Sequence, residues 1–360
     1  MNTFLNKKFG EIINNHSKLL ILSILTLVSS NQLFADHHES QKKNTSDFVG
    51  SFPLQGWWKF ESELGAEKQI ICYLFSWIDK ETEIENFVDM RIDPSSREIE
   101  HITRVFQVPT KNPTIHNRLW VNNNGEYGQT TQVVKSNSMI ATVVGSTPNG
   151  LLSAVIHTSW NDEKTKAERF MSNAIDGHTE FKTKTTTLFG KSISQNPIRN
   201  GEIKIRRKRQ VNSDYLDERL NNLLGEWSRT DSKNNSKKTE IFSTLVKGGA
   251  ILERFLYHKI EGNSESLNGG GYQLTVRDPS NGKLSMWFIN KNRFFHAGYW
   301  QIKDDKTFIQ NYLNRRYVRE VINNAEMRAF FQKLENGNYL NQNPMIFKKT
   351  PETNDNVSRN

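Results

Sequence analysis

The chain has 360 residues, a formal net charge of +9 at pH 7 and one cysteine, with 21 Phe, 9 Tyr and 8 Trp. That length suits two compact domains, and a single thiol excludes an internal disulfide framework, so stability must come from burying aromatic and aliphatic side chains. Lys and Arg are mostly interleaved with Asp and Glu, which disfavours a dedicated nucleic-acid surface.

In chain order, Lys7, Lys8 and Lys18 precede an apolar run over residues 19–28, and the more polar residues 29–34 close on Ala35. Basic region, apolar core and cleavage region together predict a secretory signal over residues 1–35. The apolar run is too short to span a bilayer comfortably and no later segment is longer, so no stable membrane insertion is expected after cleavage. The mature chain is then periplasmic or secreted, and the residues after Ala35 lack a lipid-anchoring Cys. A retained N-terminal anchor is the alternative.

Residues 36–45 are a polar, aperiodic lead-in. If processing leaves Asp36 at the N-terminus, His38 becomes the third residue, and amine, two amides and imidazole can ring one Cu(II) in a square plane, with His37 adding a nitrogen nearby. The alternative is an accidental pair of histidines.

The remainder reads as a unit of roughly 150 residues repeated in tandem. Ser46-Asp47-Phe48 leads to Gly56-Trp57-Trp58, as Ser213-Asp214-Tyr215 leads to Gly225-Glu226-Trp227. In the second copy Ser213 or Asp214 is placed to cap a short helix running to Asn222. Asp93-Pro94-Ser95-Ser96 parallels Asp278-Pro279-Ser280-Asn281, each between alternating runs. Glu168-Arg169-Phe170 parallels Arg328-Ala329-Phe330 near the end of each copy.

Within each copy the period is two, as in Leu152, Ala154, Ile156, Thr158 and Trp160, or in Ile84, Val88, Met90 and Ile92 alternating with Glu85, Asp89 and Arg91. Beyond the two openers, only residues 324–333 offer a helical spacing. About eight to ten antiparallel strands per copy indicate an all-β sandwich or closed barrel. The predicted divisions are a first domain at residues 46–195, a basic linker at 196–212, a second domain at 213–350 and a polar tail at 351–360.

From Leu224-Gly225-Glu226-Trp227 onward the second copy resembles the lipocalin-like, or calycin-like, β-barrels of exported bacterial proteins of unknown function. Gly248-Gly249, Arg277-Asp278-Pro279, Met286-Trp287 and Gly298-Tyr299-Trp300 follow in the order seen there. The first copy shares Gly56-Trp57, Asp93-Pro94 and Asp176-Gly177. The resemblance implies two tandem antiparallel barrels with short helical openers, and a pocket for a small apolar or amphipathic molecule more readily than a reaction. It also implies a basic residue of the last strand against the opening Trp, where this chain offers Lys191 and Lys348 or Lys349 rather than Arg.

No nucleophile elbow, His-Glu-x-x-His, Cys-x-x-Cys, P-loop or dinucleotide fingerprint occurs, so no cofactor is expected. Glu253 on the Ile251/Phe255/Tyr257 row and His296 on the Phe294/Gly298/Trp300 row are ionisable residues on otherwise apolar faces. Pointing into the second barrel among Trp287, Tyr299, Trp300 and Tyr317, they form a candidate ligand pocket or an acid/base pair for an isomerase, hydratase or lyase. Alternatively Glu253 pairs with Arg254, His296 makes a core hydrogen bond, and the aromatics fill a structural barrel. Cys72, in an apolar strand, reads as a small buried hydrophobe.

Overall fold

The computed structural model describes residues 54–351 except 64–68, 149, 177–180, 205–215, 246–248, 280, 292 and 313–314, with the backbone alone for 173–176, 181–185 and 293–297. The expected signal, the lead-in with His37 and His38, opener residues 46–53 and tail residues 352–360 lie outside the described residues. Among the described residues no helix is long and apolar enough to cross a membrane.

Ten antiparallel strands close the first barrel: β1 (Gly56–Glu61), β2 (Ile71–Ile78), β3 (Glu85–Ile92), β4 (Ile99–Pro109), β5 (Ile115–Asn122), β6 (Tyr127–Val134), β7 (Ser138–Thr147), β8 (Gly150–Trp160), β9 (Lys166–Asp176) and β10 (Phe181–Ile193). Each pairs with its sequence neighbour, and β10 returns to β1 with Phe60 opposite Gly190. A Cβ at Gly190 would meet the Phe60 ring at 2.3 Å, so glycine lets the seam close over that ring. Leu54, Trp58, Phe60 and Trp160 pack together and fill one end. Period two does not fix which row faces in. In β3 the apolar row Val88, Met90 and Ile92 is packed outside, under Ile198 and Ile203, while Phe87, Asp89 and Arg91 line the interior.

The second barrel begins after a 3-10 helix, Glu218–Leu223, capped by the Asp217 carboxylate, which accepts from the Arg219 amide. The cap is therefore Asp217 rather than Ser213 or Asp214. Its strands are β11 (Gly225–Asp231), β12 (Ser236–Leu245), β13 (Ala250–Glu261), β14 (Ser264–Arg277), β15 (Leu284–Asn290), β16 (Arg293–Ile302), β17 (Thr307–Asn311), β18 (Arg315–Asn323), β19 (Glu326–Glu335), β20 (Asn338–Asn341) and β21 (Met345–Lys349). β11 to β19 pair in order, β21 bridges β19 to β11 and closes the ring, and β20 hangs on β19. Residues 324–333, with their helical spacing, form the turn after β18 and most of β19 instead, because Met327 and Ala329 join the barrel core and pairing with β18 and β21 overrides local periodicity. The Lys349 ammonium lies 5.2 Å from the centre of the Trp227 ring, so the basic residue over the opening Trp is a lysine.

The two barrels repeat one architecture, yet their Asp-Pro turns differ in place. Asp93 opens the turn between the third and fourth strands of its barrel, whereas Asp278 opens that between the fourth and fifth. The turns themselves match: Asp93 N–H bonds to the Glu98 carbonyl at 2.9 Å and Asp278 N–H to the Lys283 carbonyl at 2.7 Å.

One apolar cluster joins the barrels side by side. Ile84, Phe106, Leu119, Val121 and Tyr127 of the first pack against Leu252, Tyr272, Leu274, Val276, Trp287 and Ile289 of the second. Phe106 meets Tyr272 edge-on at 5.2 Å, and Tyr127 lies 4.8 Å from Trp287. At the margin Asp79, from the β2–β3 turn, accepts two bonds of 3.0 Å from the Arg254 guanidinium and one from the Tyr272 hydroxyl. Burial pushes the Asp79 carboxyl up, but those bonds outweigh it and hold it below its ordinary value of 3.8. A double-mutant cycle of Asp79→Ala and Arg254→Ala, read by urea unfolding at neutral pH, is expected to give a coupling of about 1–3 kcal/mol. Because Asp79's folded value is depressed, the coupling is present above 3.8 and fades as pH falls below it. Additive single-mutant effects would show that the bridge contributes nothing to docking.

Candidate functional site

The interior of the first barrel holds a cavity of about 700 Å³. Its size follows from the inner rows, where Ala141, Val143 and Gly145 on β7, Ala154 on β8, and Gly128 and Thr130 on β6 are small. Gly128 and Gly145 also let the Trp120 ring come close to the backbone of the wall, since a Cβ at Gly145 would come within 2.2 Å of that ring. Ile70, Cys72, Leu74, Val105, Met139, Met171 and Leu188 complete an apolar body. Burial, then the charge of Asp89, pushes the Cys72 thiol up to about 12, so it remains a neutral, inert lining group.

Polar groups occupy two levels. Toward the mouth, Arg91 and Glu100 pair at 3.2 Å, Asn122 donates to Glu126 at 2.5 Å, and Asn124 lies 3.4 Å from the His101 ring. Burial holds the His101 imidazole below its ordinary value, so it is neutral at neutral pH. Deeper, Arg169 donates to Asp89 at 2.9 Å and covers the Phe60 ring at 4.3 Å. Arg118 donates to Gln107, whose amide donates to Glu85 at 2.9 Å, and burial lowers the Arg118 guanidinium to about 9, still charged at neutral pH.

Near these charges lie Gln132 and Thr158, both fully buried, with Trp120 at 6% exposure. The Gln132 amide oxygen and nitrogen, the Thr158 hydroxyl, the Trp120 indole N–H and the Arg169 Nε have no hydrogen-bond partner among the described residues. All four residues line the cavity. Buried polar atoms are normally satisfied, and several orphans around one cavity make it a candidate binding site.

The interior around Glu253 in the second barrel is built differently. Glu253 faces inward on the predicted row, but its partner is Arg319 at 2.5 Å, with Gln273 at 2.9 Å, rather than Arg254, which reaches the first barrel instead. Arg319 also holds Glu240 at 3.1 Å, and Lys238 reaches Glu240 at 2.5 Å. Trp300 and Tyr317 share this interior, 5.6 Å and 4.4 Å from the Arg319 guanidinium. Trp287 turns outward into the contact between barrels, because it lies off the inner row Leu284, Met286 and Phe288. Tyr299, one residue off the Trp300 row, is 50% exposed. The His296 side chain lies outside the described residues. Glu253, Trp300 and Tyr317 are thus brought together, and Trp287 and Tyr299 are apart from them.

The sequence expectations passed over Gln132, Trp120, Arg118 and Arg169. Thr158 was visible as the polar member of an apolar inner row, and the run of Gly, Ala and Thr on neighbouring inner rows was the available signal for an unfilled interior.

No family model matches the chain, and no curated protein matches it. Among the solved structures that match, two align over most of its length. One is a protein of unknown function from the DUF3598 family of Nostoc punctiforme, at 10% identity over 82% of this chain and 96% of that one, with a TM-score of 0.21. The other is a Nitrosomonas europaea protein assigned as AttH, at 9% identity over 88% and 99%, with a TM-score of 0.18. The form of the chain, two closed antiparallel barrels in tandem, is carried by its own strand pairing.

Burial, reinforced by the Glu240 charge and opposed by Arg319, pushes the Glu253 carboxyl from its ordinary 4.5 up to about 7. The protonated form is therefore favoured by folding, and its contribution, full below 4.5, is lost as pH rises through about 7. Glu253→Gln keeps the shape and removes the titration. Between about pH 5 and about pH 8 the wild type is expected to lose on the order of 3 kcal/mol relative to that variant in urea unfolding. Parallel pH profiles would show that Glu253 stays ionised throughout.

Proposed function

We propose that the protein is a binding protein whose first barrel holds one small amphipathic molecule. The observation that carries this reading is the cavity of about 700 Å³ whose buried lining includes polar atoms without partners. Its volume falls within the roughly 300–1,000 Å³ of small-molecule sites, and its mix of apolar wall and few polar groups has the usual composition of such sites. The charged residues described in the second barrel bond to one another and to neighbouring amides, which supports a structural role for them. The N-terminal basic and apolar segment supports work outside the cytoplasm, in the periplasm or beyond.

Ala141 and Ala154 line the cavity and are small, so a larger side chain at either position takes up cavity space. Ala154→Phe and Ala141→Phe are expected to lower retention of a co-purifying or added apolar molecule, seen by native mass spectrometry, at least about tenfold. Their melting temperatures should stay level or rise, since the added ring fills space. Glu253→Gln should leave retention unchanged. Retention that survives both cavity-filling variants would defeat the assignment to the first barrel.

A further inference from the structure

The reading of the first barrel as a binding site can be sharpened to a class of ligand. We infer that the cavity selects an uncharged molecule: an apolar body ending in one head that both donates and accepts hydrogen bonds, a hydroxyl or an amide, seated at Gln132 and Thr158.

Charge balance points away from an ion. The lining carries three carboxylates, Asp89, Glu100 and Glu126, against three guanidiniums, Arg91, Arg118 and Arg169. Each already has a partner, Arg169 with Asp89, Arg91 with Glu100, Glu126 with Asn122 and Arg118 with Gln107, although the Arg169 Nε is left over as a donor. A carboxylate or ammonium entering this enclosure surrenders its hydration and finds no excess opposite charge to replace it.

The orphan atoms point to the head. Gln132 offers an N–H pair and a carbonyl oxygen, and Thr158 a hydroxyl that works either way, all unpartnered among the described residues. A carboxylate only accepts, and would leave the Gln132 oxygen unmatched. A ketone or ester has the same defect. A hydroxyl or amide satisfies a donor and an acceptor together, and the Trp120 indole N–H supplies a further donor. Gln132 and Thr158 lie in one stretch of wall: Gln132 pairs with Ala141 on β7, and Thr158 pairs with Met139, two residues along that strand. The Thr158 end adjoins Trp160, which belongs to the filled end of the barrel, so the head goes in first and the body lies toward the mouth.

The test compares 1-dodecanol, dodecanamide, dodecanoate, dodecylammonium and methyl dodecanoate as competitors of a polarity-sensitive dye bound to the full chain. Dodecanol and dodecanamide are expected to bind at least about tenfold tighter than the two ions and several-fold tighter than the ester. Gln132→Leu and Thr158→Val, which keep volume, should erase the preference for alcohol and amide over ester. They should leave ester affinity unchanged and keep or raise the melting temperature, because each removes an unsatisfied buried group. Dodecanoate equal to or tighter than dodecanol overturns the inference in favour of an anion site. Equal affinity for alcohol and ester in the wild type overturns it as well, while leaving the binding function intact. Failure of every competitor and of the dye to distinguish wild type from Ala154→Phe overturns both this inference and the proposed function.

Discussion

Closure of the hydrogen-bonded ring governs both halves of this protein. A closed antiparallel barrel has no edge to protect, and in exchange each strand commits one row of side chains to a shared interior. A ten-stranded ring encloses more space than the backbone needs, so the inner rows decide whether that space is filled by packing, by paired charge, or left open. The second barrel sets Arg319 between Glu240 and Glu253 and surrounds it with Phe242, Trp300 and Tyr317. The first places glycine, alanine and threonine on its inner rows and keeps a cavity.

Docking of the barrels imposes a second demand on the same strands. Where two barrels meet, outer rows must be apolar as well, and a strand in contact on both sides no longer alternates cleanly. Trp287 is the consequence. It follows Met286, and both are buried, one in the contact with the first barrel and the other in the core of the second. The charged margin has a similar origin, because Arg254 belongs to the outer row of β13 and meets Asp79 across the contact.

These two demands explain what the residues disclosed. Strand period, turn chemistry and the repeated Gly-x-Trp openings gave the all-β class and the tandem barrels, since each is a local signal. The inward direction of Glu253 was also legible, because its row is uniformly apolar otherwise. Which row of β3 faced inward was not, for Val88, Met90 and Ile92 are covered by Ile198 and Ile203 from a segment over a hundred residues away in the chain. Arg319, the true partner of Glu253, is on β18, and no local spacing connects it to β13. The equivalence of the two Asp-Pro turns was misleading for another reason: turn sequence reports local backbone geometry, which the two loops share, and carries no count of the strands before it.

The contrast between the two interiors bears on where binding belongs. In the second barrel four ionisable groups are paired with one another, which offsets desolvation for Glu240 and only in part for Glu253, and removing one partner would strand another. Such a set holds itself in place, and the atoms it leaves without a partner among the described residues, Arg319 Nη1 and the nearby Trp300 indole N–H, are donors only. In the first barrel the charges are likewise paired, but Gln132, Thr158 and Trp120 keep buried polar atoms without a protein partner. Leucine or valine at Gln132 and Thr158 would remove that penalty and enlarge the core at no cost in shape. A sequence that retains the polar residues gives up stability at that point, and the stability is recovered when a molecule of matching polarity fills the cavity. Ligand affinity and apo-state stability are then coupled through the same few atoms. Residues that look ill-suited to a buried core are therefore a better guide to the site than the charged pair that first stands out along the chain.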